Sequence, residues 1–336
     1  MLSTIYITTW SNGFFGSAGQ SWLSIDVEKI VEQLSILGRK VEVITYRDLL
    51  NVQLSQKDIV IYCSSDELNM RAYLKDLMFF IDKKCTLIPS YTALLAHENK
   101  GFQQLMREDM SFGNLAGDYA FDFDELKREK PYVFKKVTGA GSSGVTLVKS
   151  NKDEKVIKSK QFEVGFKRKL IKKQRALKLT TNEFDIYNYR YKGFSLAVTQ
   201  DFIKGLTCDY KVLAFGSKFF VLRRDVRKND FRASGSGKFK FDEVPSIVLA
   251  FAKQIFETLN EPYASLDIAI SENEAYLIEY QILNFGPYTL NNSPGHYEYR
   301  DEWLYVNEKS NLDECFSEAL YQYVEKKVFE KKRRQA

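Results

Sequence analysis

Between Ala264 and Pro287 the chain reads ASLDIAISENEAYLIEYQILNFGP, two strand-like apolar runs that nonetheless carry Asp267, Glu279 and Gln281. A carboxylate inside such a run is costly unless a cation or a hydrogen-bond donor meets it. A three-residue hairpin loop of Glu272, Asn273 and Glu274 would pair Ser271 with Ala275 and set Asp267 directly opposite Glu279. Period-two alternation then brings Gln281 to the same face. Two carboxylates and an amide oxygen converging there make a hard, all-oxygen site, the kind that holds magnesium together with nucleotide phosphates. A hairpin whose acids are solvated or paired with basic side chains fits the same segment, so the rest of the chain must decide.

Two other stretches have residue types suited to anions. Pro131 to Lys136 reads as a strand carrying Lys135, GAGSSG (Gly139 to Gly144) as a turn, and Val145 to Lys149 as the returning strand. Backbone N–H groups without side chains can approach a phosphate closely; a plain hairpin tip is the competing reading. Further on, Arg223 and Arg224 close a strand, and RKNDFRASGSGKF adds Arg232 and Lys238. Arginines beside a Gly/Ser loop suit a site where negative charge builds up on a transferred phosphoryl group.

The elements that must position these residues alternate at first. Ile5 to Thr9, Val41 to Thr45, Asp58 to Cys63 and Thr86 to Ile88 read as strands, with helices over Ile25 to Leu37 and Glu67 to Ile81. Short alternating units predict a parallel sheet with helices packed on it. Gly13 to Gly19 (GFFGSAG) is a glycine loop after the first strand, but it lacks the dinucleotide fingerprint. Thr92 to Met106 reads as one helix carrying Lys100. Lys152 to Lys178 is lysine-rich, which by default means a solvated helix face, with binding to an acidic substrate or nucleic acid as the alternative. Phe194 to Ile203 is a strand, and Asp209 to Phe215 pairs with Lys218 to Arg224 about a turn at Gly216 and Ser217. The last helix spans about Asp313 to Lys332 with Phe316, Leu320, Tyr323 and Val324 on one face.

Composition narrows the function classes. A chain of 336 residues with 44% hydrophobic and 14% aromatic content is long enough for two or three small domains. The net charge of +5 suits an anionic small ligand and falls short of the dense basic surface of a dedicated nucleic-acid binder. The four cysteines are scattered without metal-ligand spacing and the two histidines, His97 and His296, lie far apart, which argues against a zinc site or a disulfide framework. No run approaches the roughly 18 apolar residues of a membrane span. The expectation is a reduced, cytoplasmic protein that does not enter a membrane; assembly into a homo-oligomer stays open.

In order, Lys100, PYVFKK with GAGSSGV, TQDFIKG with CDYKV, RR with NDFRASG, and LDIAI with LIEYQ resemble the motif series of the ATP-grasp superfamily, in particular the branch of ribosomal-protein glutamate ligases, glutathione synthetases and D-alanine ligases. The resemblance covers roughly Ile88 to Pro287. It implies an α/β and α+β chain in which an N-terminal Rossmann-like parallel-sheet domain, residues 1–90, precedes ATP-grasp subdomains at 91–200 and 201–336. It further implies that Lys100 and Lys135 hold the nucleotide phosphates and that Gly139, Gly141, Ser142, Ser143 and Gly144 form a phosphate lid. By the same resemblance Gln200, Asp201, Phe202 and Ile203 present backbone to adenine, Asp209 meets the ribose, and Arg224 and Arg232 act near the transferred phosphate. Asp267, Glu279 and Gln281 fall at the Mg2+ (or Mn2+) ligand positions. Three residues depart from the pattern. Gln281 stands where asparagine is usual, Ser234 replaces an asparagine after the FR pair, and Lys211 replaces an arginine, which bears on the acceptor site more than on ATP.

The reaction implied is ATP-dependent activation of a small-molecule or peptide carboxylate to an acyl phosphate, with ADP released and an amine displacing phosphate. No protein nucleophile is needed, in keeping with the scarcity of histidines. The alternative is a nucleotide-binding scaffold without turnover that contacts an acidic partner. His296, Tyr297 and Arg300, in the aromatic stretch NNSPGHYEYRDEWLYV, are candidates for a second-substrate pocket.

Overall fold

The structure is a computed structural model, and it describes residues 3–16, 24–110, 114–126, 128–139, 144–162, 166–178, 180, 181, 183, 194–227 and 230–335. The chain divides into two compact units, one of Met1–Asn99, Met110–Asn114 and Gly205–Ala336, the other of Lys100–Asp109 and Leu115–Lys204.

The first unit opens with β1 (Thr4–Thr9), α1 (Val27–Ser35), β2 (Lys40–Thr45), β3 (Ile59–Ile61), α2 (Leu68–Asp82) and β4 (Thr86–Ile88). All pairings are parallel, in the order β2-β1-β3-β4, as the alternation of short strands and helices predicts. Each helix starts on an acidic cap: Asp26 accepts the Glu28 and Lys29 N–H groups, and Glu67 accepts that of Met70. The helix expected over Thr92 to Met106 is two helices, α3 (Tyr91–Ala96) and α4 (Lys100–Asp109). Between them Glu98 takes φ = +50°, a left-handed conformation that ends a helix even without glycine.

The second unit begins with α4 and continues through β5 (Gly117–Ala120), β6 (Tyr132–Lys136), β7 (Val145–Val148), α5 (Asn151–Gln161), α6 (Phe166–Ala176) and β8 (Ala197–Asp201). Its sheet runs β5-β8-β6-β7, antiparallel throughout. Tyr132, Phe134, Val148, Ile157, Phe162 and Ala197 form the core under α5, whose start is locked by a reciprocal Ser150–Asp153 cap.

The first unit resumes with β9 (Cys208–Phe215), β10 (Lys218–Asp225), β11 (Phe239–Lys240), α7 (Ser246–Leu259), β12 (Tyr263–Ser271), β13 (Glu274–Gln281), α8 (Tyr288–Asn292), β14 (His296–Arg300), β15 (Glu302–Val306) and α9 (Leu312–Gln335). The sheet order is β13-β12-β9-β10-β14-β15, with β11 paired to β10. Phe316, Leu320 and Val324 of α9 share one hydrophobic core with Ile5, Ile7, Ile30 and Leu34 of the parallel-sheet part and with Phe215, Phe220 and Tyr263 of this sheet. That core backs the large sheet, and the sheet carries the carboxylates. No described helix is long and apolar enough to cross a membrane.

Candidate functional site

The β12–β13 hairpin turns on Glu272 and Asn273 alone, both left-handed at φ = +51° and +64°, so Ser271 pairs with Glu274 and the expected three-residue loop is corrected to two. Continued unbroken, that register would set Ile278 against Asp267 and carry Glu279 round toward the opposite face. A bulge between Asp267 and Ile268 takes up the extra residue, and Asp267 lies opposite Glu279 as the sequence implies, with Ser265 opposite Gln281.

Strand order extends this pair into a polar cluster. Asp267 faces Lys211 of β9 on its other side, and one strand further Asp209 faces Arg224 of β10. The Arg224 guanidinium makes a two-pronged bond to Asp209 (Nε–Oδ1 2.6 Å, Nη2–Oδ2 2.9 Å) and reaches Asp267 Oδ2 at 2.9 Å. Lys211 Nζ donates to Ser265 Oγ at 2.9 Å and sits 3.6 Å from Asp267 Oδ1. Burial pushes the Asp209 carboxyl up to about 6 against the pull of Arg224. Burial also opposes the Arg224 charge, but Asp267 and Asp209 outweigh it and hold the guanidinium above its ordinary range. Both directions leave an ionised pair at neutral pH, in agreement with its two-pronged geometry.

Gln281 donates from Nε2 to Glu279 Oε1 (3.3 Å), while its Oε1 accepts the Glu98 N–H (3.4 Å). Its amide oxygen is therefore turned to the α3–α4 break and its amino group to the carboxylates. Next to it lies His97, which sequence reasoning did not connect with this site. Its Nε2 is 3.3 Å from the Ser65 carbonyl, and burial depresses the ring to about 4, so it is neutral. Among the described residues no group of three or more His, Cys, Asp or Glu side chains is placed to hold a metal ion. Asp267 and Glu279 alone are hard carboxylate donors that suit a magnesium ion completed by water and phosphate oxygens.

Arg232 lies in the loop after β10 and is clamped by Asp230 (Nε–Oδ2 2.9 Å, Nη2–Oδ2 2.6 Å), a bond that holds the Asp230 carboxyl below its usual range. Ser234 gives its carbonyl to Arg227 Nη2 at 2.8 Å. His296 and Arg300 both bind Glu298, at 3.1 and 2.6 Å, and Tyr297 stacks on Tyr305. His296 also packs on the Phe220 ring of β10 at 5.5 Å, and Tyr297 lies opposite Phe219.

In the second unit, Lys100 opens α4, is buried, and donates from Nζ to the Gly139 carbonyl at 2.6 Å. Lys135 is buried on β6, opposite Val198 of β8. Gly139 and Gly144 both have positive φ, at +122° and +76°, which glycine adopts without strain. Gly141, Ser142 and Ser143 lie outside the described residues. Gln200 is buried between Gly117 and Val133, Asp201 is exposed with Arg128 at 3.4 Å, and Phe202 and Ile203 follow half-buried.

The fold is similar to those of solved structures. The chain resembles the ATP-grasp ligase PsnB complexed with a minimal precursor at a TM-score of 0.52, with 11% identity over 96% of this chain and 100% of that one. It resembles the D-cycloserine synthetase DcsG at 0.52, with 10% identity over 95% and 99%. This is the ATP-grasp fold. PsnB complexed with minimal precursor, Mg and ADP gives 0.50 with 10% identity, over 96% and 98%. At such identity the ATP-grasp likeness is one of fold, with an all-parallel sheet at the N-terminal end. No protein-family model matches the sequence, and no curated protein does.

Proposed function

We propose that this ATP-grasp chain is an ATP-dependent carboxylate–amine ligase that works through an acyl phosphate. The reading is carried chiefly by the charged cluster on the β13-β12-β9-β10 sheet, where Glu279 and Asp267 lie opposite each other, Asp267 opposite Lys211, and Asp209, two residues before Lys211 on β9, opposite Arg224. So many charges gathered on one sheet suit an anionic substrate with its cation better than a structural role, because buried pairs contribute little net stability. Asp267 and Glu279 would hold the magnesium, which would supply charge neutralisation for the ATP phosphates. Lys100 and Lys135 hold the phosphates as point charges, and the stretch Gln200 to Ile203 presents backbone to the base. Asp209 serves the ribose only on releasing one prong of Arg224. Arg232 stabilises charge on the transferred phosphoryl group after exchanging Asp230 for it. The substrate carboxylate attacks the γ-phosphorus, ADP leaves, and an amine then displaces phosphate from the acyl group.

A nucleotide-binding scaffold without turnover is the second reading. It is favoured by Gln281, whose amide oxygen is engaged by Glu98. The experiment is a screen of carboxylate and amine pools scored by ADP release, followed by an oxygen-18 label on the carboxylate. Label recovered in phosphate, with ADP matching amide, supports the ligase. AMP as product, or unlabelled phosphate, refutes the acyl phosphate, and tight ATP binding with no consumption favours the scaffold. Arg232→Ala is expected to slow turnover by about 100- to 1,000-fold with a much smaller effect on nucleotide affinity.

A further inference from the structure

Residues 166–178, FKRKLIKKQRALK, hold seven basic and no acidic side chains, while the whole chain is net +5, so the remainder is net −2. This one short stretch, α6 and the two residues after it, thus carries more positive charge than the net charge of the whole chain. No described side chain of α6 is buried: Lys169, Lys173 and Gln174 are exposed, Lys172 is half-buried, and Leu170 and Ile171 are 47% and 41% exposed. An 11-residue helix none of whose described side chains is buried is marginal in water, and like charges at i,i+3 and i,i+4, such as Lys169 with Lys172 and Lys173, weaken it further.

We propose that α6 docks an acidic peptide segment, which brings to the enzyme the carboxylate-bearing chain it acts on. The partner's role as substrate rests on the ligase reading; the docking does not. Charge complementarity selects an acidic chain. The length suits a peptide, because α6 spans about 16 Å, the reach of about five extended residues. Leu170 and Ile171 offer apolar contact between the lysine arms. Lysine outnumbers arginine five to two in the stretch, giving point charges rather than the planar forks that favour phosphate, and Phe166 is its one aromatic, so stacking on bases is poorly served. An interfacial helix needs a longer apolar stripe, and here Leu170 is followed at i+3 by Lys173 and Ile171 by Gln174.

The test uses the full chain and a fluorescein-labelled decaglutamate peptide, read by anisotropy. Binding should weaken with added salt, and Lys169→Glu/Lys172→Glu/Lys173→Glu should weaken it about tenfold, the sum of three exposed ion pairs. Helicity at 222 nm should rise when peptide is added to the parent protein and stay flat in the variant. ADP release with small free carboxylates should be unchanged in the variant, while KM for an acidic peptide rises. Equal affinity of parent and variant for the peptide overturns the proposal. So does lysine-dependent binding of a charge-matched oligodeoxynucleotide or of phosphatidylserine vesicles that exceeds binding of the peptide. Should no ADP form with any substrate while the lysine-dependent peptide affinity persists, the ligase reading fails and the docking surface stands.

Discussion

Replacing Arg224 by methionine isolates the electrostatic logic of the charged cluster. The side chain is 7% exposed and neutralises Asp209, itself 6% exposed, and Asp267 together. Methionine keeps much of the volume but leaves two carboxylates facing each other with Lys211 as the nearest remaining cation, 3.6 Å from Asp267. Removing one partner of a buried pair costs about 3–5 kcal/mol. For a unit of this size that lowers Tm by roughly 6–20 °C. Acid should rescue the variant. The folded-state pKa of Asp209 is already raised by burial to about 6 and rises further without the guanidinium. A raised carboxyl contributes stability that is fully present below its unfolded value and is lost as pH rises through the folded one. The variant's urea midpoint should therefore climb more steeply than the parent's as pH falls from 7 to 5. Arg224→Met/Asp209→Leu should recover most of the stability, because Asp209 is then no longer stranded and Asp267 keeps Lys211 at 3.6 Å, yet not ADP formation. A single variant as stable as the parent at pH 7, with the same pH slope, would refute this account.

Glu261 is buried, accepts the Ser90 N–H at 3.2 Å and is pushed by burial to about 7; folding stability should fall by about 3 kcal/mol from pH 5 to pH 8, and Glu261→Gln should flatten that slope in urea titrations. Glu279→Gln should leave the melting temperature within a few degrees but reduce magnesium-dependent ADP formation about 100-fold or more; equal turnover would remove Glu279 from the metal. At Gly117 an added Cβ would lie 2.3 Å from Gln104 Oε1 and 2.7 Å from the Thr199 carbonyl, so Gly117→Ala should cost about 1–3 kcal/mol in stability of the second unit, measured by hydrogen exchange in β5 and β8.

The parallel sheet was legible because each strand is a short apolar run and each helix begins on an acidic cap such as Asp26 or Glu67. The Arg224–Asp209 pairing was also within reach. A turn at Gly216 and Ser217 sets residue 215 opposite 218 and, counting outward, 209 opposite 224. The break at Glu98 and the two-residue turn at Glu272 and Asn273 were not legible. Left-handed backbone is signalled by glycine, and here Glu and Asn adopt it under tertiary constraint. His97 was missed for a related reason. A lone histidine has no spacing partner in the sequence, and its nearness to Gln281 exists only once the residues after α3 meet the end of β13.

The bulge in the β12–β13 hairpin has a bearing on tolerance to length change. A three-residue turn with a regular ladder and a two-residue turn with one bulge both align Asp267 with Glu279; they differ only in where the surplus residue sits. The segment from Glu274 to Ile278 thus behaves as slack in the strand, able to hand a residue from turn to ladder while the carboxylates keep step. Hairpins with longer or shorter tips can accordingly drift in sequence without Asp267 and Glu279 losing phase.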